Sequence, residues 1–233
     1  MTQVARENTD TPQGLVFAIS AYVLWGFLPL YLKLLSHIPS AEVVAHRVLW
    51  SVPVAGLLLI VLGRTKELRV ALKSPRTLMM ACVTAALISV NWGIYVWSIA
   101  NGYALDAALG YYINPLFSVL LGSVILGERP NRVQMVAISL AAGAVVVLTV
   151  AAGGLPLVAV GLTLSWGFYA FFKKSLPVGP NQGFMLEVLI LLPVALGYVI
   201  YLSVTGTGHI GGTDMDNLLL LGCGLITAVP LIT

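Results

Sequence analysis

The stretch Val133–Phe172, VQMVAISLAAGAVVVLTVAAGGLPLVAVGLTLSWGFYAFF, contains no Asp, Glu, Lys or Arg and is interrupted near its middle by Gly153-Gly154-Leu155-Pro156. About 20 apolar residues cross a ~30 Å hydrocarbon core, so a stretch of this length holds two crossings with a turn between them. Residues 77–105, 107–127 and 188–213 are equally free of charged side chains. The whole chain of 233 residues is 59% hydrophobic and 9% charged, where a soluble domain carries about 25% charged residues. So few charges cannot solvate the surface of a 24.7 kDa globule. A soluble fold and a disordered tail are excluded. A transmembrane β-barrel is excluded too, because its strands would alternate apolar and polar residues. The expected fold class is an all-α polytopic membrane protein.

Charge gaps and Pro/Gly punctuation place spans near 14–34, 41–62, 77–100, 104–126, 132–150, 155–172, 183–203 and 217–233. The polar stretch 1–13 precedes them. The segment from Gly14 is too long for a signal-peptide core and no small-residue cleavage pattern follows it, so it reads as a retained first span. In an eight-span arrangement, Arg6 and the basic connections 63–76, 127–132 and 173–182 all fall on one side, with Lys33 and Arg47 on the other. The 203–216 loop on that other side is acidic through Asp214 and Asp216. The Lys/Arg bias puts the N-terminus in the cytoplasm. The net charge of +3 follows from this asymmetry and is no nucleic-acid footprint. Cys82 and Cys223 lie inside apolar runs and read as buried small hydrophobes.

Trp25-Gly26-Phe27 recurs as Trp166-Gly167-Phe168, and at the same offset Lys33 meets Lys174, Pro39 meets Pro180, and Cys82 meets Cys223. Identity elsewhere is poor, but the first and second spans align with the sixth and seventh. Five spans separate the copies, so the second is inverted in the membrane. Inverted repeats are a recurrent plan of secondary transporters, whose substrate site lies between the halves.

Polar groups inside spans are costly and mark candidate sites. Glu187, about a turn into the seventh span, has His46 of the second span as its repeat counterpart. Both are proton-coupling candidates, since His titrates near neutrality and a buried Glu can be raised towards it. A structural hydrogen bond or interfacial ion pair is the plainer reading of each. For Glu42 and Arg47, a local pair of Glu42 with His46 or Arg47 is the preferred reading. Asn91-Trp92 in the third span and Gly110-Tyr111-Tyr112-Ile113-Asn114-Pro115 in the fourth bring amide and aromatic groups beside a proline that frees backbone carbonyls. Trp92 and Tyr112 are pocket candidates, while Tyr103 and Tyr201 suit an interfacial aromatic belt. Glu128-Arg129 with Arg132 reads as a solvated group at a helix end. No phosphate loop, His-Glu-x-x-His, Gly-x-Ser-x-Gly or metal-spaced Cys pair is present. Neither an enzyme nor a bound cofactor or metal is expected.

The strings Ala21-Tyr22-Val23-Leu24-Trp25-Gly26, His46-Arg47, Asn91-Trp92, Leu109-Gly110-Tyr111-Tyr112-Ile113-Asn114-Pro115-Leu116 and Leu126-Gly127-Glu128-Arg129 resemble the drug/metabolite transporter superfamily. Within it they resemble the EamA-type branch of chloramphenicol-sensitive (RarD) proteins. The resemblance runs from about Gly14 to the end of the chain. It implies location in the inner (plasma) membrane and an inverted-repeat bundle of ten helices in two five-helix halves, with a central cavity lined by the first, third and fourth helices and their second-half counterparts. Residues 14–150 then form the first EamA-like repeat and 155–233 the second, incomplete at its C-terminus, with about eight helices present. On this sequence the implied substrate-binding residues are Trp25, Asn91, Trp92, Tyr112, Asn114, Trp166 and Glu187.

The leading expectation is a secondary transporter, an exporter or permease of small organic metabolites or drugs working by alternating access. A membrane-embedded partner-binding or assembly protein is the second reading and a membrane enzyme the third. The expected partners are the lipid bilayer, a small-molecule solute and protons; a homodimer is left open and nucleic acid is not expected. Two copies of a unit beginning near Gly14 would reach to about residue 295, so the 233-residue form is expected to lack the last two helices and part of the eighth. Alone, it is expected to have an open cavity, to expose an apolar seam and to carry no solute; robust flux would refute that expectation.

Overall fold

The computed structural model describes residues 12–127, 130–151, 154 and 156–232. Arg6, the remainder of the polar N-terminal stretch up to residue 11, and the Glu128-Arg129 pair lie outside the described residues. Among the described residues every regular element is a helix. In chain order they are α1 (Pro12–Leu34), α2 (Ser40–Val61), α3 (Thr65–Leu72), α4 (Pro75–Ala100), α5 (Ala104–Leu126), α6 (Arg132–Ala151), α7 (Leu157–Lys174), α8 (Pro180–Thr205) and α9 (Asp214–Ile232). The chain is an all-α polytopic membrane protein. Four helices, α2, α4, α5 and α8, are by themselves long and apolar enough to cross a membrane, while α1 and α6 carry shorter apolar stretches, Ile19–Leu34 and Arg132–Val147.

The eight expected spans correspond to α1, α2 and α4 to α9. The difference is α3, a short helix inside the basic connection 63–76. Its sequence TKELRVAL mixes charged and apolar residues and buries only Ala71, so no apolar run announces it. Helix ends follow local chemistry. The Ser74 side chain accepts from the Thr77 backbone N–H at the start of α4, Pro75 and Pro180 occupy first-turn positions, and Gly127 and Gly206 close α5 and α8 in the left-handed region.

Helix α2 is central, packing on α4, α8 and α9; α7 lies against α4 and α5, and α1 against α9 and α4. Two sets of contacts separate the ends of the bundle. At one end, Gln182 Nε2 of α8 donates to Glu67 Oε2 of α3, which joins two of the basic connections. At the other, Glu42 at the start of α2 accepts from His209, and His37 pairs with Asp216 at 2.9 Å. Two of the basic connections, 63–76 and 173–182, thus meet at one end of the bundle.

Close helix approaches rest on small residues. A Cβ on Gly110 of α5 would lie 2.8 Å from the Ala159 carbonyl oxygen of α7, and Thr163 Oγ1 of α7 lies 2.9 Å from Gly110 O in the same contact. A Cβ on Gly224 of α9 would collide with the Trp50 backbone of α2. Without a hydrophobic drive between helices in lipid, such contacts supply the packing energy. The cysteines divide: Cys223 is buried, but Cys82 is exposed. Cys82 lies on the exposed face of α4 with Met79 and Val83.

The Gly224→Val variant is expected to lose about 1–3 kcal/mol of stability through overpacking, read by denaturant unfolding in detergent. Gly197→Ala in α8, where nothing lies within 4 Å, should be neutral or slightly stabilising.

Candidate functional site

Polar side chains well inside the helices converge on one place. Asn91, fully buried in α4, donates from Nδ2 to Ser165 Oγ of α7 at 3.0 Å. Its Oδ1 accepts from the Tyr111 hydroxyl of α5 at 2.9 Å. One amide thus ties three helices together. Around it rings meet edge to face: Tyr95 with Tyr111 at 5.6 Å, Tyr111 with Trp166 at 5.9 Å, and Trp25 with Trp166 at 6.0 Å. From α2, the Arg47 guanidinium lies over the Trp92 ring, 4.8 Å from its centroid, and its Nε donates to Thr227 Oγ1 of α9 at 2.9 Å.

Apart from Ser165, these groups line a cavity of ≈ 680 Å³ reached by α1, α2, α4, α5, α7 and α9. Ligand pockets span roughly 300–1,000 Å³ and are mainly apolar with a few convergent polar groups. The lining has that character. Trp25, Asn91, Trp92, Tyr112, Asn114 and Trp166 all border it, so six of the seven expected site residues are gathered in one place. They do not hold equivalent positions. Tyr112 is 82% exposed and stands at the rim, whereas Tyr111 takes the inner place; one step along a helix turns a side chain by about 100°. Asn114 is buried, yet neither its Nδ2 nor its Oδ1 has a hydrogen-bond partner among the described residues.

Glu187 lies elsewhere. It is fully buried in α8, does not border the cavity, and accepts from Lys173 Nζ at 2.7 Å and the Tyr169 hydroxyl at 3.2 Å. The Lys173 ammonium also sits 5.6 Å from the Tyr169 ring centroid. His46, its repeat counterpart, is fully buried too; Nδ1 accepts from Trp50 Nε1 at 3.2 Å and Nε2 has no partner among the described residues. The expected local pairing of Glu42 with His46 or Arg47 is replaced. Glu42 accepts from the His209 backbone N–H at 2.7 Å and its ring Nδ1 at 2.8 Å, because the loop after α8 folds over the start of α2. Arg47 is left without that acid, and it is the main site residue the sequence reading passed over, together with Thr227. An arginine in an apolar span with its nearest acid five residues away, out of step with the i, i+4 spacing, was the available signal.

A mainly apolar, ring-lined cavity with a few convergent polar groups inside a polytopic helical bundle is the kind of site a membrane transporter needs. The chain belongs to the EamA-like transporter family, which matches residues 12–150. It is 38% identical over 224 residues to Protein RarD of Escherichia coli (strain K12), covering 96% of this chain and 76% of that protein. An uncharacterized transporter of Vibrio cholerae serotype O1 is 40% identical over 227 residues, covering 97% and 75% respectively. The chloramphenicol-sensitive protein RarD of Pseudomonas aeruginosa is 34% identical over 195 residues, covering 82% of this chain and 65% of that one. No solved structure matches.

The buried Lys173–Glu187 pair gives a stability test. Lys173→Met should cost about 3–5 kcal/mol by leaving the carboxylate buried and unpaired, while the Lys173→Met/Glu187→Leu double variant should recover most of it. Unfolding of both proteins in detergent measures the difference.

Proposed function

We propose that the protein is a secondary transporter that exports a small organic solute across the bacterial inner membrane by alternating access, with its N-terminus in the cytoplasm. The observation that carries this reading is the cavity. It is walled by α1, α2, α4 and α5 on one side and by α7 and α9 on the other, which are the two copies inferred from the sequence repeat. The packing supports an inverted pair: α1 against α9 is matched by α7 against α4, and α2 against α9 by α8 against α4. Rocking of one copy on the other about α2 and α8 would expose the cavity to each end in turn.

The proton is the coupling ion in this proposal. Glu187 and His46 are the groups to carry it, through exchange of the Lys173–Glu187 pair and proton uptake at His46 Nδ1, which would release the Trp50 indole N–H that it accepts from. A homodimer in the bilayer is the proposed assembly.

Flux of radiolabelled solutes through the complete protein in proteoliposomes tests the proposal. Asn91→Ala should lower flux about tenfold or more, since Tyr111 and Ser165 lose their shared partner. Glu187→Gln should abolish flux driven by a pH gradient while leaving membrane insertion intact. Unchanged pH-driven flux in that variant would sink proton coupling, and a stoichiometric protein partner with no flux of any solute would sink transport.

A further inference from the structure

Arg47 is 3% exposed and borders the cavity, but no acid faces it. The cavity lining contains no Asp or Glu among the described residues. The ionisable groups nearest the guanidinium are Tyr31 of α1, Tyr95 of α4, Tyr111 of α5 and Cys223 of α9, none of which carries a charge near neutral pH with its usual chemistry. The one acid on its own helix, Glu42, is held by His209. A guanidinium has five N–H donors. Here a single hydrogen bond is made among the described residues, from Nε to Thr227, and the buried Nη1 has no partner.

A buried cation without a counter-charge is expensive, and the Trp92 face offsets only part of the cost. The contrast inside the molecule is direct. The Glu187 carboxylate is neutralised by Lys173 at 2.7 Å and lies away from the cavity. The Arg47 guanidinium is not neutralised, and it lies in the cavity wall.

We propose that the cavity binds an organic monocarboxylate, with Arg47 receiving the carboxylate and the Trp92, Trp166 and Tyr111 rings holding an apolar or aromatic body. This rests on the transporter reading above and names the substrate class of that same site. One guanidinium matches one carboxylate through two parallel N–H donors. A phosphate dianion would call for a second cation, and the lining has none among the described residues. A cationic amine would meet Arg47 as a like charge. The unpartnered Asn114 amide supplies a donor and an acceptor for a further polar group on the same ligand.

The test uses the full chain purified in detergent, titrated with four probes sharing one ring and differing in charge: 3-phenylpropionate, 3-phenylpropan-1-ol, 3-phenylpropylamine and phenyl phosphate. Binding is read by tryptophan fluorescence and calorimetry. The expected result is a carboxylate affinity at least about tenfold above that of the other three probes. Arg47→Gln should remove this preference by weakening the carboxylate and leaving the alcohol unchanged, and Arg47→Lys should restore part of it. Equal affinity for alcohol, amine and carboxylate overturns the proposal, as do tighter phosphate binding, no binding of any probe, or full carboxylate binding by a folded Arg47→Gln protein. Should that variant not fold, the charge preference of the unaltered chain decides. Flux through the complete protein separates the two readings. Carboxylate-selective binding with no flux keeps the anion site and sinks transport, whereas flux indifferent to solute charge keeps transport and sinks the anion site.

Discussion

Hydrocarbon offers no partner to a polar group, so each one carried by a spanning helix has to be met by another part of the protein. Helix α2 shows what this constraint builds. Glu42 reaches His209 in the loop after α8, and Arg47 reaches Thr227 of α9 and the Trp92 ring of α4. Asn91 does the same for α4, α5 and α7 through Ser165 and Tyr111. The apolar faces cannot select neighbours in this way, because lipid tails are as apolar as leucine. Polar bonds and the close approaches at Gly110 and Gly224 select them instead.

Buried polar groups in this molecule differ in how completely their bonds are met. Glu187 is satisfied twice, by Lys173 and Tyr169, and lies in packed protein. Asn114 and the Arg47 Nη1 atom are left over in the wall of one cavity, while His46 Nε2, Ser51 Oγ and Gln182 Oε1 are unpartnered away from it among the described residues. The two buried charges of α2 and α8 therefore have different standing, although the repeat places them one residue out of register.

The spans themselves were legible because charge-free runs of about 20 residues have one physical use. The short helix α3 was not, since TKELRVAL is too short and too charged to form a spanning run, although its Leu68 and Ala71 pack into the core at the end of the bundle. Asn91 and Asn114 were legible as candidates because amides within apolar runs are rare and costly, and Trp92 because it adjoins Asn91 in mid-span, whereas Trp25 and Trp166 were implied by the family resemblance. Tyr111 and Tyr112 are adjacent and alike in chemistry, so which of them faces inward depends on helix rotation, and rotation is set by α7 packing on α5 at Gly110. Glu42 was read by its neighbours at helical spacing, but its actual partner is His209, 167 residues on.

By itself the sequence determined that this chain crosses the membrane repeatedly as helices, roughly where each helix begins and ends, and which residue types are out of place in lipid. Those follow from local hydrophobicity, which depends on a residue and its near neighbours. The tertiary structure alone decided which out-of-place groups find each other. Arg47 became an unneutralised charge in a cavity because a distant loop engaged Glu42, and Glu187 became a neutralised one because Lys173 folds back over Gly183. Electrostatic partnership is a matter of ångströms in space, and no spacing along the chain encodes it.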